Sequence, residues 1–217
     1  MNAYQSEIDS LFKEWKDREP HKTNNNFIKD GIIDIDRWNH VSTKVLFILR
    51  EAYQHENETD GFNLVENLLA EEGQKKGKST WRNLGKWAYL LQNYPTENDI
   101  ENVTRDWFYY EEAFLSSAII NVKKSGGKSR SDIHEIIEIA KLDQDLLRKQ
   151  VDLISPDIIC CCGVFGSIKV LWNETDMEEI GHRLFKTKDY KIIDYWHPAT
   201  LWSQDLFYFG LKGIIEQ

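Results

Sequence analysis

Residues 44–54, KVLFILREAYQ, decide how the rest of the chain is read. Five consecutive apolar residues, Val45 to Leu49, break abruptly into Arg50-Glu51-Ala52-Tyr53-Gln54. A short apolar run rich in branched side chains reads as a strand buried on both faces. Its polar tail is expected in the loop at the carboxyl end of that strand, the edge where open α/β sheets bind ligands. Three later runs share this pattern: Ser117 to Val122, Asp157 to Cys162, and Tyr190 to Tyr195. Asn121 lies near the end of the first of these, followed by the basic run Lys123-Lys124-Ser125-Gly126-Gly127-Lys128-Ser129-Arg130. The second ends at Gly163 and the third in Trp196-His197-Pro198-Ala199.

Helical patterns fill the intervals. Residues 1–18 place Ile8, Leu11, Phe12 and Trp15 at helical spacing, and residues 19–43, with Pro20, Asn25 and Gly31, read as an irregular connection. Further helices are expected from Gly61 to a stop at Gly73, after Thr80, over Trp107 to Leu115, after Ser131-Asp132, from Asp143 to Ile154, over residues 166–172, and from Ser203 to Ile215. Strands alternating with helices predict an α/β fold: a three-layer αβα sandwich around a central four-stranded parallel sheet, in a single domain spanning 1–217.

Composition narrows the function classes. A chain of 217 residues is long enough to bury about 70% of its unfolded surface. No apolar run reaches the roughly 20 residues that span a bilayer, so no membrane partner is expected. The amphipathic, acidic start is unlike a secretory leader, and a cytoplasmic location is expected. The three cysteines, Cys160, Cys161 and Cys162, are adjacent and alternate faces, which suits buried apolar packing rather than disulfide or metal chemistry. No metal site and no cofactor is expected. A net charge of −9 demands that any nucleic-acid contact come from a local basic patch.

Taken alone, each candidate also has an ordinary reading. His197 before Pro198 suits a turn, Asn121 is a common turn former, Glu51 can pair with a neighbouring cation, and Phe62 can anchor a helix. Their order along the chain is more informative. Arg50-Glu51-Ala52-Tyr53-Gln54, Gly61-Phe62, the AIINVKK segment around Asn121, the run LLRKQVDLISPDIICCCG ending at Gly163, and His197-Pro198-Ala199 together resemble the uracil-DNA glycosylase superfamily, over roughly residues 44–215. In that family the first motif is commonly Gly-Glu-Ala-Pro-Gly or Gly-Gln-Asp-Pro-Tyr-His, and the last is His-Pro-Ser. Here Arg50 and Tyr53 replace the small and rigid residues, Ala52 stands where well-known members carry an aspartate, and Ala199 replaces the serine. The cysteines of the iron–sulfur branch are absent.

The resemblance implies hydrolysis of the N-glycosidic bond of uracil, or another deaminated base, in DNA. Such an enzyme extrudes the nucleotide and holds it in a pocket. His197 would stabilise the departing base as it becomes anionic, and Glu51 would orient water and offset the positive sugar. Asn121 would read the base edge, Phe62 would stack on its face, and Tyr53 and Ala52 would shape the pocket. Lys123, Lys124, Ser125, Lys128 and Arg130 would take backbone phosphates. A non-catalytic nucleobase- or nucleic-acid-binding protein of the same fold, and a nucleoside or nucleotide hydrolase, remain the alternatives.

Overall fold

Among the described residues Val45 to Leu49 lies inside a seven-stranded mixed sheet, third in order, and its side chains alternate between two hydrophobic layers. Val45, Phe47 and Leu49 enter one layer, Leu46 and Ile48 the other. A strand with both faces covered needs apolar residues at every position, which is why this run shows no alternation in sequence. The computed structural model describes residues 3–23, 25–54, 60–70, 79–94, 106–127, 131–172, 174–199 and 204–217. Among them no helix is long and apolar enough to cross a membrane.

The strands are β1 (Gly31–Ile32), β2 (Val45–Tyr53), β3 (Ala118–Gly127), β4 (Ile158–Cys162), β5 (Glu178–Gly181), β6 (Leu184–Lys186) and β7 (Lys191–Tyr195), ordered β1-β3-β2-β4-β7-β6-β5. The sheet is therefore larger than four strands and is not purely parallel. Strands β3, β2, β4 and β7 pair parallel, while β1 adds antiparallel to β3 and the β5–β6 hairpin adds antiparallel to β7. The added strands are two to four residues long, too short to show a period in sequence.

Helices cover both faces. On one lie α3 (Leu64–Ala70), α4 (Ser79–Asn93), α5 (Glu111–Leu115) and α9 (Gln204–Ile215), contributing Leu68, Trp87, Phe114 and Leu211 among others. On the other lie α1 (Ala3–Lys16), α2 (Ile35–His40), α6 (Ile133–Leu142), α7 (Gln144–Ile154) and α8 (Phe165–Ile168). Helix α1 buries the four residues its spacing marked, Ile8, Leu11, Phe12 and Trp15, at about 1.5–3 kcal/mol each. The three cysteines are buried and unpaired, Cys160 and Cys162 in one layer and Cys161 in the other, as strand alternation requires.

Three expectations need correction. Residues 19–43 are not merely irregular: they supply β1 and α2, the latter capped by the Asp34 carboxylate on the Asp36 and Arg37 N–H groups. Arg50 to Tyr53 are strand, not loop, and so are Lys123 to Gly127. The two polar tails pair with each other, Glu51 opposite Lys123 and Tyr53 opposite Gly127. Either tail alone looks like a loop; each is held as a strand by the other's backbone. The proposed helix stop at Gly73 and the start at Ser203 lie outside the described residues.

Strand order fixes where a ligand would sit. From β2 the chain passes to β3 on one side, and then to β4 on the other. The crevice outside the carboxyl ends of β2 and β4 is thus a topological switch point, the usual binding position in such sheets.

Candidate functional site

At that crevice Gly163, directly after β4, holds two residues from distant strands together. Its φ is +70°, the left-handed region that glycine enters without strain, and its N–H donates to the Tyr195 carbonyl at 2.6 Å. A Cβ here would lie 3.3 Å from both Cβ and N of His197 and 3.4 Å from Nη2 of Arg50. The absent side chain is what lets the β7 exit loop close over β4. The Gly163 carbonyl in turn accepts from Arg50 Nε at 3.2 Å and Nη2 at 3.1 Å.

His197 is half-buried in this corner, and Ala199 N–H donates to its Nδ1 at 3.2 Å. An accepting Nδ1 leaves the neutral ring its proton on Nε2, so Nε2 is the donor. Burial, and then the adjacent Arg50 charge, lower the imidazole pKa from 6.5 to about 4. At neutral pH His197 is an uncharged hydrogen-bond donor. Pro198 beside it is held by Asn83 of α4, whose Nδ2 donates to the Pro198 carbonyl at 2.6 Å.

Glu51 occupies a second cluster. Its side chain is 5% exposed and pairs with Lys123 Nζ at 3.1 Å, which also meets Glu135 of α6 at 2.8 Å. Burial works to lower the Lys123 pKa, but Glu135 and Glu51 together outweigh it and raise the value. Lys123 thus spends its charge on two carboxylates. A Cβ on Gly127 would fall 2.0 Å from Glu51 Cδ, and one on Gly126 1.8 Å from Gln54 Oε1. These glycines are strand residues that make room for Glu51 and Gln54.

Asn121 belongs to a third, buried cluster centred on Asp30. The Asp30 carboxylate accepts from Asn121 N at 2.8 Å, Asn121 Nδ2 at 3.2 Å, Lys124 Nζ at 2.6 Å and Gln150 Nε2 at 2.9 Å. Asn121 is 1% exposed, and its Oδ1 has no hydrogen-bond partner among the described residues. Lys124 corrects the sequence reading: it is fully buried, with Nζ 5.0 Å from the Trp15 ring, and cannot reach a phosphate outside. Burial lowers its pKa against the opposing pull of Asp30.

The remaining candidates divide. Phe62 and Ala52 are partly buried against the core beside α3 and α4, and Ser125 is buried in β3. Tyr53 is 58% exposed at the end of β2, and Trp196 is 52% exposed at the end of β7, so two aromatic rings stand at this edge of the sheet. Lys128 and Arg130 lie outside the described residues. The structure therefore joins Arg50 with His197, Glu51 with Lys123, and Asn121 with Lys124 through Asp30. Three inter-strand steps, about 14 Å, separate the strand of Asn121 from that of His197.

Sequence reasoning missed Asp30 and Asn83. Asp30 sits in the stretch taken as irregular. Asn83 is buried in α4 together with Leu84 and Trp87, where a search for apolar spacing passes over a polar residue. A polar residue inside an apolar stripe was the available signal. A shallow groove of about 770 Å³, lined by Arg37, His40, Tyr89 and Glu112, opens at the opposite edge where β2 and β3 begin. Its Arg37 is already paired with Asp34 and Glu112.

No protein-family model matches the chain, and no curated protein does either.

Proposed function

We propose that the chain is a divergent uracil-DNA glycosylase-like αβα protein that hydrolyses the N-glycosidic bond of uracil, or another deaminated base, in DNA. The observation that carries this reading is His197, a neutral imidazole presenting an Nε2 donor at the switch point of the sheet's parallel block. A hydrogen bond from that donor to a base oxygen strengthens as the departing base gains charge, so it favours the transition state over the substrate. The Oδ1 of buried Asn121, with no hydrogen-bond partner among the described residues, suits an acceptor for an imide N–H, and Glu51 supplies a carboxylate for water or sugar. Exposed Tyr53 offers an aromatic face to an unstacked base.

A second reading has its own support. Burial of Lys124 and double pairing of Lys123 leave less basic surface for a duplex than the sequence promised, and the net charge is −9. Both facts favour a small nucleoside or nucleotide as substrate. Single- and double-stranded oligonucleotides containing uracil, treated with the protein and then with alkali, separate the readings. Strand scission dependent on His197 supports the glycosylase. Binding without scission points to a non-catalytic protein, and release of base from free nucleosides alone points to the small-molecule hydrolase.

A further inference from the structure

The corner that holds His197 also holds a cation with no counter-ion among the described residues. Arg50 is half-buried, yet among the described residues it has no carboxylate partner, and its only hydrogen bonds go to a neutral carbonyl, that of Gly163. A guanidinium carries five N–H donors; Nε and one Nη2 proton are used here, and Nη1 makes no hydrogen bond among the described residues. The charge is also fixed in place, because its anchor is the backbone of the residue against which His197 packs. Other strand-end cations in the parallel block are already engaged, Lys123 by Glu51 and Glu135, Lys124 by Asp30. A rigid, partly desolvated positive charge at a switch point, beside a neutral donor, is built to receive an anion.

We propose that Arg50 is a catalytic residue that takes the negative charge of the departing base, sharing it with the Nε2–H of His197. This inference rests on the glycosylase reading above. In the step, the bond between the sugar C1′ and the base nitrogen breaks, and both electrons leave with the base, whose carbonyl oxygens share the charge with that nitrogen. Water oxygen then bonds to C1′, its proton passes to the Glu51 carboxylate, and the base anion is protonated by solvent. A neutral imidazole offers only a dipole to that anion, whereas Arg50 offers a full charge. A glycine at this position would leave the whole load to the histidine. The rigid guanidinium also explains how an electrostatic stabiliser can be present before reaction, with no reorganisation as charge develops.

The test uses leaving groups of different quality. Single-turnover base release is measured on oligonucleotides containing uracil or 5-fluorouracil, the latter leaving as a more stable anion, with wild type, Arg50→Gln and Arg50→Lys. Arg50→Gln is expected to lose about 100-fold or more on uracil and markedly less on 5-fluorouracil, with Arg50→Lys restoring part of the loss on uracil. Thermal melting and the NMR titration of His197 in each variant report on folding and on the corner itself. A folded Arg50→Gln protein that loses the same factor on both substrates makes Arg50 a structural strut and overturns this assignment, leaving the glycosylase reading intact. If wild type releases neither base, the glycosylase reading falls and this assignment falls with it.

Discussion

Replacing Lys124 by methionine separates the two roles this residue can have, internal strut or phosphate ligand. Its Nζ lies 2.6 Å from Asp30 Oδ1, with both side chains fully buried. Removing one partner of a buried pair typically costs about 3–5 kcal/mol, because the other charge is left without compensation. The contact with the Trp15 ring at 5.0 Å adds about 0.5–2 kcal/mol. Two effects oppose this. Methionine keeps most of the apolar stem, and Asp30 retains donors from Asn121 and Gln150. A net loss of about 3 kcal/mol is expected, a fall of roughly 6–12 °C in Tm for a chain of this length. Urea unfolding followed by tryptophan fluorescence measures it. The double variant with Asp30→Asn is expected to be more stable than Lys124→Met alone, since no stranded carboxylate remains. Oligonucleotide affinity and its salt dependence should be unchanged in the folded protein. A loss below about 1 kcal/mol, or a shallower salt slope, refutes the strut and returns Lys124 to the phosphates.

Other expectations follow from the same geometry. His197→Gln should lower the rate of base release by about 100- to 1,000-fold while leaving DNA affinity nearly intact; equal losses in both make the ring structural. The His197 imidazole should titrate at about 4 by NMR, so activity that needs the neutral ring stays flat from pH 8 to 5 and falls near 4. For stability the sign follows from protons bound. Between 6.5 and about 4 the unfolded chain binds the proton and the folded chain does not, so stability falls as pH falls through that window. A partly exposed ring contributes about 2 kcal/mol or less to this loss; titration near 6.5 contradicts the burial argument. Gly163→Ala forces a side chain into φ +70° and against His197, costing about 1–2 kcal/mol in backbone strain and displacing the ring, so activity should fall further than stability alone explains. Gly127→Ala should unseat Glu51, seen as loss of activity with little change in oligonucleotide binding.

The sequence alone determined which segments are buried. Val45 to Leu49, Ile158 to Cys162 and the stripe of α1 were legible because burial on two faces leaves an unbroken apolar run and burial on one face leaves a helical period. It also placed His197 and Gly163 at strand ends. It could not tell the polar tails of β2 and β3 from loops, because each is strand only through hydrogen bonds to the other, about 70 residues away. Nor could it separate Lys123 from Lys124. Neighbours in a strand face opposite ways, and only tertiary packing, which gives Lys124 the buried Asp30 and the Trp15 ring and gives Lys123 Glu51 and Glu135, sends one lysine into the core and leaves its neighbour near the rim. The juxtaposition of Arg50 and His197 at Gly163 likewise follows from strand order, which joins residues more than a hundred positions apart and leaves no trace in local spacing.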